Sequence, residues 1–280
     1  MKLTINNIRK LKECLNISKD VDIIAIRGCS CSEYGKWQKE INIEQKEIDN
    51  EHMNCLFILI DVDKILPLQG STAPHKKYLL KGLNNDGNGV NQLEYGFYKY
   101  YAKGIHGIGR DSGHKALRQT RNQPVKRTSD NLVFDDQDNI EIGNVHDNIH
   151  ASWSKLNSSD HASAGCQVIQ GYPECKKRKT NSGHWKLFYN HIYSLDQYTF
   201  NYLLIPFRWV ERVVNNIDFN LIIFGSESND VKQIQKYFKL TQDGIYGQNT
   251  YNKVIEFQKK YNLTVDGIVG NNTIKRMGKI

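Results

Sequence analysis

Asn148-Ile-His150 and, across a short polar loop, Ser163-Ala-Gly-Cys166-Gln-Val168 form the stretch whose reading decides the fold of this chain. A thiol is a useful nucleophile only when something takes its proton, and an imidazole on a neighbouring strand does that. Gly165 lets the backbone turn sharply ahead of Cys166, so that the N–H groups of Gly165 and Cys166 can face a developing oxyanion. Ser163 is expected to orient His150 by a hydrogen bond. The pattern predicts a mainly β domain with Cys166 as nucleophile and His150 as base of an acyl-transfer enzyme.

A rival reading starts from His146-Asp-Asn-Ile-His150, which places two imidazoles at i and i+4. On a helix they share one zinc-facing side, as a metallopeptidase requires. The preceding Ile140-Glu-Ile-Gly-Asn-Val145 is β-branched and contains Gly143, a poor prelude to a helix. On a strand the two rings fall about 13 Å apart, too far for one ion. No metal or other cofactor is therefore expected. His106 and His114 are expected to line the substrate cleft, with Gln167 beside the nucleophile. Arg118, or Arg110, is the candidate clamp for a substrate carboxylate. His161 is expected in solvent.

Working outward, apolar spacing at Ile5, Ile8, Leu11 and Leu15 predicts a helix over 4–17, and Val21 to Ile26 reads as a strand. Residues 32–53 are polar and predict a surface helix or excursion. Leu56 to Val62, Tyr95 to Tyr101 and Tyr198 to Ile205 predict core strands, with Gly70 to Pro74 a turn and Asn84 to Gly89 a flexible loop. Ala116 to Arg121 reads as a helical turn. Leu132 to Phe134 and Ile140 to Ile142 read as the strands of a hairpin. Near the end, Asp243-Gly-Ile-Tyr-Gly-Gln-Asn-Thr250 recurs as Asp266-Gly-Ile-Val-Gly-Asn-Asn-Thr273. Each Asp-Gly is a tight turn, its second glycine is expected in the left-handed region, and the Thr or Asn is expected to cap a following helix. Residues 211–230 are the expected linker, with Leu221 to Phe224 as an alternative last strand.

At 280 residues with 39% hydrophobic content, the chain is long enough for one sizeable domain and a small one. The formal charge of +8 favours an anionic partner. Basic residues are scattered, apart from the loop run Lys176 to Lys179, so nucleic acid is not the expected partner. An acidic bacterial wall fits the same sign. Neither a secretory h-region of ~7–15 apolar residues nor a membrane span of ~20 is visible. Synthesis in the cytoplasm is expected, with arrival at the wall or periplasm after lysis or by non-classical secretion. A secretion machine or an immunity protein are the partners that such a route implies. The six cysteines make no evenly spaced disulfide framework, and Cys14 and Cys55 read as buried free thiols.

Residues 229–277, with both DG-I-x-G-x-x-T turns, the Gln233/Gln235 helix and Val254-x-x-Phe257-Gln258, resemble the peptidoglycan-binding domain of wall-lytic and wall-modifying enzymes. The stretch from His150 to Cys166 resembles the L,D-transpeptidases, cysteine enzymes that cut and rejoin peptidoglycan stem peptides. There His150 matches the base, and Ser163, Gly165 and Cys166 match the family's Ser-x-Gly-Cys. Gln167-Val168 stands where an aliphatic residue and Arg are usual, and Ala151 follows the histidine in place of Gly.

The resemblances imply an α+β chain: an L,D-transpeptidase-like sheet or sandwich over 1–225, then a small all-α bundle over 229–280. They imply a peptidoglycan stem-peptide hydrolase or transpeptidase, working as a phage-type lysin or an antibacterial effector. The alternatives are a zinc peptidase using His146 and His150, or a non-catalytic wall-binding adaptor.

Overall fold

The strand Ile23–Arg27 buries all five of its residues because it is paired on both edges and covered on both faces. The computed structural model of which it is part describes residues 1–83, 89–128, 130–155 and 160–278. The loop expected at 84–89 lies, but for Gly89, outside them.

The chain starts with β1 (Lys2–Thr4) and α1 (Ile5–Cys14), the latter opened by a capping box between Thr4 and Asn7. Next come β2 (Ile23–Arg27), β3 (Cys29–Cys31), β4 (Glu40–Gln45), β5 (Cys55–Asp61), β6 (Lys64–Ser71) and α2 (Lys76–Leu83). The middle of the chain is all strand: β7 (Val90–Leu93), β8 (Gly96–His106), β9 (His114–Arg118), β10 (Gln123–Thr128), β11 (Asn139–Gly143), β12 (Ile149–Ala151) and β13 (Gln167–Ile169). After α3 (Gly183–Ser194), β14 (Thr199–Pro206) and α4 (Phe207–Val214), the last three helices are α5 (Asn229–Tyr237), α6 (Gln248–Lys260) and α7 (Asn271–Met277).

Eight strands close into a barrel in the order β12-β13-β6-β5-β2-β14-β8-β9. Two three-stranded sheets, β1-β4-β3 and β11-β10-β7, flank it. The architecture is thus α+β with a mainly β first part and a helical end, but the β part is a closed barrel and not the expected sheet or sandwich.

Several local expectations change. Residues 114–118 extend as β9 because pairing with β8 overrides the helix preference of Ala116 and Leu117. Residues 40–45 form β4, not a surface helix. Ile140 to Ile142 pairs with β10, not with 132–134. Gly70 and Ser71 belong to β6, not to a turn.

Alternation along the barrel strands separates two cores. Ile24, Ile26, Leu56, Ile58 and Leu203 pack with α1 and α4, whereas Ile23, Ala25, Phe57, Leu59 and Leu204 pack with α3. The stretch after α4 is no loose linker. Ile222 and Ile223 are buried, and Ile222 exchanges two backbone hydrogen bonds with Val269 (3.0 and 2.9 Å). Phe224 accepts from the Phe97 N–H at 2.7 Å, and Ser226 Oγ donates to the Leu15 carbonyl. Ile268 of the helical part sits in the first core, so the two parts share buried surface.

Candidate functional site

Ile149 and Ala151 of β12 face the second core, so alternation turns His150 out of the opposite face. Ile149 pairs with Leu117, and His106 pairs directly with His114 across β8 and β9. His106, His114 and Arg118 therefore share the face that carries His150. The rings of His106 and His150 stack with centroids 3.9 Å apart, and His114 lies 5.4 Å from each. β12 runs parallel to β13, which brings the residue before β13, Cys166, beside this cluster. One nitrogen each of His106 and His150 and the Cys166 sulfur lie within 4.8 Å of one another. The thiol is half-buried and is directed at the His146 carbonyl, 3.5 Å away.

The tautomers follow from the partners. His150 Nδ1 lies 2.8 Å from the Ala151 carbonyl, which only accepts, so Nδ1 carries the proton and Nε2 keeps its lone pair. Asn148 Oδ1 accepts from the Gln119 N–H at 3.1 Å, which fixes the amide and turns its NH2 group to His106 Nδ1, also at 3.1 Å. His106 Nδ1 is therefore the acceptor, and its Nε2 carries the proton. His114 Nδ1 faces the Ser112 carbonyl at 2.9 Å, and its Nε2 is buried without a hydrogen-bond partner among the described residues. Stacked neighbours thus present opposite faces of imidazole chemistry, one a base and one a donor.

The loop before Cys166 is held by Ser163, but not as expected. Its Oγ donates to the Cys166 carbonyl (2.6 Å) and accepts from the Gly165 N–H (3.1 Å), so it shapes the turn instead of orienting His150. That bond also occupies the Gly165 N–H, which leaves Cys166's as the N–H with no intramolecular acceptor among the described residues. Gly165 has φ +136°, and a Cβ there would stand 2.6 Å from Asn91 Nδ2.

Gln167 is fully buried, its amide committed to both Asp147 oxygens (3.1 Å each) and to the Tyr202 hydroxyl (2.9 Å). It braces the barrel, and the substrate contact expected of it is not open to it. Arg118 lies along Gly104, where a Cβ would meet its Cδ at 2.8 Å. His161 is buried edge-on to His75, not in solvent. His146 contributes its carbonyl to the thiol, and among the described residues the group that converges with His150 is His106 and Cys166, not His146.

Burial sets the charge states. It holds His150 well below the usual histidine range, helped by His106 and His114. Burial, then His114, Arg110 and Arg118, lowers His106 to about 4. Burial and the nearby Asp147 carboxyl push the Cys166 thiol up to about 12. The resting pair is neutral thiol with neutral imidazole. Asp147 itself is raised to about 7 by burial. The fold therefore prefers it protonated, so this group's contribution to stability is intact below about pH 4 and is lost as pH rises through about 7. Asp147→Asn is expected to raise Tm at pH 8 and leave it unchanged at pH 4. At pH 8 it should also speed alkylation of Cys166, because a neighbouring negative charge is gone. Thermal melts and iodoacetamide labelling at both pH values check this; a slower-labelling variant would count against the Asp147–thiol coupling.

At the other end of the chain the two repeats build the same turn. Asp243 Oδ1 and Asp266 Oδ1 accept from the N–H groups of Ile245 and Ile268, each at 2.9 Å. Gln235 and Gln258, one helix earlier, each accept from the turn glycine (Gly244 at 2.9 Å, Gly267 at 2.8 Å) and donate to the isoleucine carbonyl (3.0 Å). Residues 227–277 match the family model for a peptidoglycan binding domain. No curated protein and no solved structure matches the chain. The peptidoglycan-binding unit supports association with the cell wall. Its left-handed glycines are the first of each turn, Gly244 (φ +78°) and Gly267 (φ +67°), and not the second. Its helices start at Gly247 and Gly270 without a side-chain cap, while Thr250 accepts from Gln235 instead. Val231, Tyr246, Tyr251, Val254 and Val269 form its core with Ile222.

The sequence assigns no role to Asn148 or Gln119. Their part is to fix the tautomer of His106, which only the pairing of β8, β9 and β12 makes visible.

Proposed function

We propose that the chain is a cysteine acyl-transfer enzyme that acts on peptidoglycan stem peptides, as a hydrolase or a transpeptidase. The observation that carries this reading is the meeting of Cys166, His150 and His106 within 4.8 Å, in a chain that ends in a peptidoglycan-binding unit. The thiol attacks a stem-peptide carbonyl while His150 Nε2 takes its proton. The Cys166 N–H and the His106 Nε2–H face the oxyanion, where one donor is typically worth about 10²–10³ in rate. The intermediate collapses to a thioester, and the leaving amine takes the proton from His150. Water or an acceptor amine then attacks the thioester, and the thiol leaves with a proton. The charges of Arg110 and Arg118, close enough to depress His106, suit a substrate carboxylate. A lysin or an antibacterial effector would put this chemistry to use on the wall.

A zinc ion bound by His106, His150 and Cys166 is the second reading, favoured by the same convergence. Either nitrogen of His106 would have to give up its present state, Nδ1 its bond from Asn148 and Nε2 its proton. The thiol reading keeps both. Incubation with sacculi, followed by mass spectrometry of released muropeptides, tests it. Activity that survives exhaustive chelation supports the thiol; muropeptide patterns identical to those of untreated sacculi would make the protein an adaptor.

Because the imidazoles are neutral well below pH 6.5, the acid limb of kcat/KM is expected only towards about pH 4, and a decline above neutral pH should follow Asp147, raised to about 7, and vanish in Asp147→Asn. An acid limb centred near 6.5 would contradict the neutral pair.

A further inference from the structure

We propose that the cleft between α4 and the second Asp-Gly turn binds the carboxylate-bearing stem peptide of peptidoglycan, and that both parts of the chain form it. This rests on the wall-binding reading of residues 227–277 and adds where, and with which chemistry, the polymer is held. The cleft measures about 450 Å³, within the ~300–1,000 Å³ usual for small-ligand sites. From the barrel side, Arg208 and Arg212 stand one turn apart on the exposed side of α4, whose other side buries Phe207, Val210 and Val213. Both guanidiniums lie over aromatic rings, Arg208 over Tyr95 at 5.9 Å and Arg212 over Phe219 at 5.0 Å. Arg212 also donates to the Asp218 carbonyl at 2.8 Å. Arg212's hydrogen bond goes to a neutral carbonyl, and Arg208 acts on the Asp266 carboxyl as a nearby charge, so the pair carries more positive charge than the one acid in the cleft balances.

From the helical side, Asn262, Asn271 and Asn272 bring exposed amides into the cleft. Amides match peptide groups, and a pair of arginines matches free carboxylates. The acid in the wall, Asp266, is already held by Gln258 Nε2 and the Ile268 N–H, each at 2.9 Å. Two cations therefore face one occupied carboxyl. A Cβ on Gly270 would come 2.9 Å from Leu221, so the turn closes tightly against the connecting segment. The Ile222–Val269 bonds and the burial of Ile268 in the barrel-side core fix the two walls relative to each other. The cleft is preformed, and a ligand would not have to bring the walls together.

The test uses the full chain with Cys166→Ala, so that no turnover intervenes, and three soluble probes. These are a disaccharide-tetrapeptide, the same compound with its carboxyls amidated, and the peptide-free disaccharide, each measured by calorimetry beside sedimentation with sacculi. Adding Arg208→Gln with Arg212→Gln is expected to weaken binding of the disaccharide-tetrapeptide at least tenfold. Asn262→Asp, which adds a negative charge at an exposed position, should do the same, whereas Lys236→Gln on α5 should not. Amidation of the probe should cost the parent as much as the arginine changes do. Unaltered binding by both cleft variants overturns the proposal, as does equal affinity for the peptide-free disaccharide. Loss of sacculus binding only after removal of phosphate-rich wall polymers overturns it too. If the parent fails to sediment with sacculi at all, the wall-binding reading falls as well, a result distinct from failure of the cleft alone.

Discussion

Cys166→Ala is expected to reduce stem-peptide turnover by about 10⁴-fold or more while sedimentation with sacculi is unchanged. The sulfur lies within 4.8 Å of a His150 nitrogen, whereas the wall-binding unit is residues 227–277. Removing a half-buried Sγ creates little cavity, so the fold should lose no more than about 1 kcal/mol. His150→Ala should show the same drop in turnover, because with a thiol pushed up to about 12 almost none is ionised without a base. Muropeptide release by the variants, measured beside circular dichroism, separates the loss of chemistry from the loss of fold. Loss of the parent's activity on exhaustive chelation would transfer the chemistry to a metal held by Cys166 with His106 and His150.

The second large effect is expected from Gly165→Ala. At φ +136° an L side chain is strained, and its Cβ would press on Asn91 Nδ2 at 2.6 Å and the Asn91 carbonyl at 2.8 Å. Strain and overlap together should cost about 3 kcal/mol, or roughly 6–12 °C in Tm. The loop that presents Cys166 would shift with it, so turnover should fall even where the protein remains folded. Gly143→Ala is the control: nothing lies within 4 Å of its Cβ position, and its Tm should stay within about 2 °C of the parent. Differential scanning calorimetry of both variants checks the contrast, and equal melting of the two would remove the case for a tuned turn at Gly165.

What could be read from the sequence was what lies close together along it. The wall-binding turns are local objects, in which an Asp, a Gly and a Gln one helix away complete each other's hydrogen bonds, so their spacing survives in the sequence. His150 and Cys166 are legible for a similar reason, since one lies on and the other just before two strands that pair in parallel. The donor role of His106 is not. It depends on the β8–β9 hairpin, on one β9–β12 pair and on an amide oriented by Gln119, none of which leaves a periodic trace. Ser163 serves the turn and not His150 because a hydroxyl two residues before a glycine turn bonds to the backbone first. At Ala116 to Arg121 a helix-favouring composition was overruled by a neighbouring edge.

The seam at Ile222 and Val269, with Ile268 sunk into the barrel's own core, has a mechanical consequence. An anchor on a flexible leash lets its cargo sweep a sphere of polymer, whereas this anchor is riveted. Under the proposed activity, a molecule seated on a strand would present Cys166 only to bonds at one set distance and bearing from the foothold. Reach would be traded for aim, and under that activity moving to the next bond would require the whole molecule to let go and step.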